Sequence, residues 1–239
     1  FTDPYNTNVY EAMKGWSALT QKIWYWIYDF NIADYFVPWD SYSAIKENYI
    51  TLLENNAQWV FAQSYDDPAI SHFTVLSSYV NYKLQWDVNQ DVNELIDRFM
   101  HNYFLDAAPA MSQYFNEMRV HFYYLTKEFG YLGRIAQAVD SSMYSYPLLM
   151  HWQDLINQAY QSIEQYKTTS PATYEALARR IKLESISIRY MIIAYHNMYY
   201  SYSELQQMKL QFKNDCGELG ITRCKEGKPI SLLWESWGI

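Results

Sequence analysis

Half of the 239 residues are hydrophobic and 18% are charged, which excludes the polar, highly charged composition of disordered chains and leaves ample material for a buried core. The formal charge is −8, and it is local: residues 1–120 hold 6 Lys/Arg against 15 Asp/Glu, and residues 121–239 hold 12 against 11. A general nucleic-acid binder, which needs a basic footprint, is therefore excluded. No uncharged apolar run reaches the ~20 residues that span a bilayer.

Seven Gly and seven Pro, against roughly 17 and about 12 for an average chain of this length, predict long helices. NVYEAMKGWSAL reads as an amphipathic helix with Val9, Met13, Trp16 and Leu19 on one side. It feeds residues 22–31, KIWYWIYDFN, which read as a strand buried on both faces. Trp24, Trp26, Tyr28 and Phe30 share one face; Ile23, Tyr25 and Ile27 share the other. SYSAIKENYITLLENN follows as a helix, AQWVFAQS at 57–64 as a second buried strand, and a third helix begins near Ser71. This alternation points to parallel βαβ organisation.

Beyond it the pattern is helical. Asp91 and Glu94 suggest a capping box, and Pro109, Pro147 and Pro171 fit first helical turns. A shorter helix carries Leu205, Met208 and Phe212. The expected organisation is a partial barrel-like segment at 1–88, a helical domain at 89–215 and an irregular tail at 216–239. Cys216 and Cys224 in the tail fit either a local disulfide or two unlinked thiols, and they lack the companions of a metal site. The histidines are scattered and HExxH, GxSxG, P-loop and GxGxxG patterns are absent, so metal-hydrolase, esterase, NTPase and dinucleotide chemistry lose their usual signatures, and no cofactor or metal is expected. Glu184, four residues after Arg180 amid apolar neighbours, suggests a buried ion pair.

Taken together, ALTQKIWYWIYDFNIADYFVPWDSY, AQWVFAQS and WDVNQDVNELIDRFMHNYFLDAAPAMSQYFNEM resemble a bacterial family known as domain of unknown function 4838. Its members look like glycoside hydrolases of the (β/α)8-barrel type, related in pattern to hexosaminidase-like and α-glucuronidase-like barrels. A full barrel needs eight strands, and two are legible. The resemblance thus implies a mainly α chain with a small parallel β component: the last βα units of a TIM-barrel-like domain followed by a C-terminal helical domain, in a C-terminal portion of a larger carbohydrate-active protein. The alternative is a non-catalytic helical interaction or glycan-binding module.

Ligand contacts in barrels cluster at the carboxyl ends of strands and in the loops beyond. That rule selects Asp29, Asn31 and Tyr35 after the first strand and Gln63 and Asp66 after the second, as hydrogen-bonding groups for sugar hydroxyls. Trp26, Tyr28 and Trp39 are candidate platforms for the C–H face of a pyranose. Glycosidases place two carboxyls about 5 to 10 Å apart, and Asp29 with Asp66 is the pair that neighbouring strands could supply. The acidic first half favours a neutral glycan. Two strands without neighbours expose pairing edges, which predicts a homodimer through those edges unless the chain's own helices cover them.

Overall fold

The computed structural model describes residues 1–31, 33–64, 72–130 and 139–239. It is mostly helical with a small parallel two-stranded sheet. The chain divides into two compact units: residues 1–30, 41–64 and 75–96, and residues 31–40, 65–74 and 97–239.

The first unit contains α1 (Thr7–Leu19), β1 (Ile23–Tyr28), α2 (Ile45–Glu54), β2 (Ala57–Gln63) and most of α3 (Thr74–Trp86). Strands β1 and β2 are parallel neighbours joined through α2, the βαβ unit that the alternation predicts. The pairing runs Ile23 to Ala57 and then Trp24 to Trp59. The skipped residue, Gln58, is a bulge, and it changes which face β2 presents. After it, Trp59, Phe61 and Gln63 stand beside Trp24, Trp26 and Tyr28 on one face.

That face is open, correcting the expectation of strands buried on both sides. Trp24, Trp26 and Tyr28 are 77, 65 and 60% exposed, and Trp59 and Phe61 are 54 and 40% exposed. The opposite face is partly covered. Tyr25, for instance, donates its hydroxyl to the Asn55 carbonyl at the end of α2 at 2.8 Å. The rule that parallel strands are covered twice assumes layers on both sides, and here a layer of helices lies on one. The stripe on α1 is likewise mostly uncovered: Met13 is buried, while Val9, Trp16 and Leu19 are exposed.

In the second unit α5 (Ala108–Phe129), α6 (Tyr146–Ile163), α8 (Pro171–Tyr195) and α9 (Tyr202–Leu219) form the core. The helix α4 (Val92–Phe104) leads into it, and a single turn, α7 (Tyr166–Thr169), joins α6 to α8. Asp91 Oδ1 accepts from the Asn93 and Glu94 amides at the start of α4, as its capping sequence suggests. Pro109, Pro147 and Pro171 occupy first turns, where a missing N–H costs nothing.

The apolar stripes interlock as their periodicity predicts: Met111, Phe115 and Met118 of α5, Trp152, Leu155 and Ile156 of α6, and Ile181, Ile188 and Ile192 of α8 are all buried. Residues 216–239, expected to be irregular, contain the end of α9, a hairpin of β3 (Arg223–Lys225) with β4 (Lys228–Pro229), and α10 (Ser231–Trp237). Gly220 at φ 81° ends α9, with the Ile221 amide donating back to the Cys216 carbonyl at 2.9 Å. This left-handed cap is what glycine permits cheaply. Cys216 and Cys224 are not bonded to each other.

Candidate functional site

At the carboxyl end of β1, Asp29 follows the strand and its amide donates to the Gln63 carbonyl at 3.2 Å. Its Oδ2 accepts from Ser77 Oγ at 2.6 Å and from Asn81 Nδ2 at 2.5 Å. Ser77 and Asn81 are one turn apart on α3, so both reach the same carboxylate. Behind them the donors run in one direction. Gln85 Nε2 donates to the Tyr49 hydroxyl at 3.0 Å, and Tyr49 donates to Asn81 Oδ1 at 2.7 Å. This fixes the Asn81 amide with its N–H2 toward Asp29. Burial, with a smaller contribution from the negative Asp29, pushes the Tyr49 phenol up to about 12, so it remains a donor at any physiological pH.

Next to Asp29 is a small polar cavity of 30 Å³, bordered by Gln63, Ser64, Ser77, Asn81 and Tyr82. It has space for about one water-sized group. The open rings begin beside it. Trp26 donates Nε1–H to Gln63 Oε1 at 2.7 Å, and its ring lies 6.4 Å from Tyr28 and edge-on to Phe61 at 5.1 Å. Further along, Trp59 and Phe61 stack nearly parallel at 6.0 Å. Trp26, Tyr28, Asp29 and Gln63 are thus brought together. A carboxylate acceptor, an amide and a row of exposed rings can hold a molecule with hydroxyls on its rim and C–H groups on its face.

Asn31, Tyr35 and Trp39 belong to the second unit. Asn31 is 1% exposed, and its Oδ1 accepts from the Ala33 and Asp34 amides, closing a turn. Tyr35 is fully buried, and its amide donates to the Cys224 carbonyl. Trp39 packs edge-on to Phe122 at 5.4 Å. Asp66 and Asp67 lie outside the described residues.

The second unit also holds a buried polar cluster that sequence reading does not assemble. On α8, Glu184, Ser187 and Tyr190 recur every three residues. Glu184 Oε2 accepts from the Phe73 amide at 2.8 Å, Ser187 Oγ donates to the Phe36 carbonyl at 2.7 Å, and the Tyr190 hydroxyl donates to Asp34 Oδ2 at 3.1 Å. The expected Glu184–Arg180 ion pair does not form. Arg180 instead donates to the Tyr103 carbonyl and lies over the Tyr103 ring, which leaves Glu184 bound to backbone N–H groups.

Burial pushes the Glu184 carboxyl up to about 8 and the Asp34 carboxyl up to about 6, in both cases against hydrogen bonds that lower them. His72 is pushed down to about 4 by burial. Its Nε2 lies 2.9 Å from the Tyr35 carbonyl, so the neutral ring donates there and Nδ1 carries the lone pair. His72 and Phe73 both have positive φ, 71° and 56°, a strained pair for residues with side chains. Glu184 holds both by their amides.

Residues 1–116 match the family model of a domain of unknown function, DUF4838. The matched segment contains β1, β2, α2, α3 and the Asp29 network. No curated protein and no solved structure matches the chain. Among the described residues no group of three or more His, Cys, Asp or Glu is arranged to hold a metal, and no helix is long and apolar enough to cross a membrane.

Proposed function

We propose that the two parallel βα units contribute one wall of a sugar-binding cleft in a carbohydrate-active, glycoside-hydrolase-like protein of TIM-barrel type, with the helical unit as its support domain. The observation that carries this reading is the Asp29 carboxylate at a strand's carboxyl end, oriented by Ser77 and Asn81 beside a cavity sized for one hydroxyl, next to the open rings of Trp26 and Tyr28. Carbohydrates are bound by this combination: flat rings cover the C–H faces of pyranoses and carboxylates accept from their hydroxyls. Among the described residues that border the cavity, Asp29 is the one charged side chain, and a carboxylate there favours a neutral glycan over a uronate.

The open face and edges support a barrel origin. A two-stranded sheet is marginal alone, and further strands pairing at its edges would extend the face that carries Trp24, Trp26, Tyr28, Trp59 and Phe61. Where they stay open, the free strand edges favour pairing between copies. The Asp29 network favours a second reading, a non-catalytic glycan-binding module, because it fixes the carboxylate as an acceptor. Asp29→Ala and Trp26→Ala in the complete gene product test both readings. Loss of glycoside hydrolysis supports the enzyme, loss of binding without any hydrolysis supports the module, and unchanged behaviour of both variants refutes the site.

A further inference from the structure

A second site lies within the helical unit, independent of the sugar cleft. Helices α6 and α9 each pack on α8, and a groove of about 530 Å³ opens between them. That volume lies within the range of small-molecule sites. One part of it is polar. Asp215, 3% exposed, accepts from Lys182 Nζ at 3.0 Å through Oδ1 and from Arg189 Nη1 at 2.7 Å through Oδ2. Glu218, 64% exposed, also pairs with Lys182 at 2.7 Å from the solvent side.

Lys182 is therefore shared by two carboxylates, whereas Arg189 has one ion pair among the described residues. A guanidinium carries five N–H donors in a planar fork, so Arg189 retains donors after serving Asp215. Elsewhere the lining is mixed: Gln153, Ser185 and Gln211 stand among an apolar stretch of Met150 and Met208, both half-buried, with the buried Ile192 and Ile193. Methionines of this kind adapt to ligands of irregular shape.

We propose that this groove binds a small organic monoanion, a carboxylate on a short apolar chain, with the carboxylate on Arg189 and the chain against Met150 and Met208. Lys182 and Arg189 together balance Asp215 and Glu218, which lessens the repulsion that an incoming anion would meet.

The test uses the full chain carrying ¹³C-methyl methionine, titrated with octanoate and, separately, with octanol at millimolar concentrations, while the methyl resonances of Met150 and Met208 are followed. Saturable shifts at those two methyls with octanoate, and weak ones with octanol, are expected. Arg189→Gln should weaken octanoate binding about tenfold or more, the loss of one charge-assisted contact. Because Arg189→Gln also removes a partner of Asp215, Met208→Glu serves as a second variant: it keeps Lys182, Arg189, Asp215 and Glu218 and should abolish binding by placing a carboxylate beside the chain or on Arg189. Absence of saturable shifts, equal response to octanol, or undiminished octanoate binding by a folded Met208→Glu protein would overturn the proposal.

Discussion

Raising the pH from 6.5 to 8 should weaken the native state through Glu184, and Glu184→Gln should remove that loss. The carboxyl is pushed from an ordinary value near 4.5 up to about 8 by burial, so the folded protein keeps a proton that the unfolded chain releases. Its contribution is fully present below about 4.5 and is lost as pH rises toward 8, at roughly 1.4 kcal/mol per pH unit. Two other buried groups confuse the lower part of that window. Asp34, raised to about 6, loses stability with rising pH below 6. His72, lowered to about 4, gains it up to about 6.5. Above 6.5 these two are silent, and Glu184 alone among the three should cost about 2 kcal/mol by pH 8, a large share of a typical 5–15 kcal/mol. Glutamine keeps an acceptor for the Phe73 amide without a proton to lose. Urea denaturation of both proteins at pH 6.5, 7, 7.5 and 8 measures the difference. Equal slopes for the two proteins would refute the buried, protonated Glu184.

Tyr49→Phe removes the donor that fixes Asn81 and leaves Oδ1 of a buried amide unsatisfied, which should lower stability by about 1–3 kcal/mol in a thermal melt; an unchanged melting temperature would mean that the relay behind Asp29 is slack. Trp152 is fully buried and donates to Glu117 Oε2 at 3.1 Å, so Trp152→Ala should cost about 3–5 kcal/mol in urea denaturation. Gly220→Ala at φ 81° should cost about 1 kcal/mol by the same measurement, although an added Cβ would meet nothing within 4 Å.

Much of the fold is legible because it is local. Pro109, Pro147 and Pro171 mark helix starts, and the stripe Met111, Phe115, Met118 has the spacing of a buried face, so α5, α6 and α8 announce themselves. Strands β1 and β2 are legible as aromatic and β-branched runs. The face that stays open is not, because it depends on the bulge at Gln58, and a one-residue slip exchanges the faces of a strand. The Asp29 position at a strand end follows from the alternation, but Ser77 and Asn81 reach it across 48 and 52 residues of chain and through helix phase. Glu184 misleads for the same reason: Arg180 is near in sequence, but the amides of His72 and Phe73, more than a hundred residues away, are what the fold brings to it. The 216–239 segment reads as irregular because its hairpin and last helix are too short for periodicity to register.

The proposed role of the end of β1 and its open rings is to hold a neutral glycan. Its most direct test is titration of the complete gene product with neutral cello-, xylo- and chito-oligosaccharides, followed by tryptophan fluorescence and calorimetry, with Trp26→Ala and Asp29→Ala in parallel. Saturable binding to at least one series is expected, lost in both variants while their circular dichroism is unchanged. Absence of binding to every series, or binding that survives both substitutions, would contradict it.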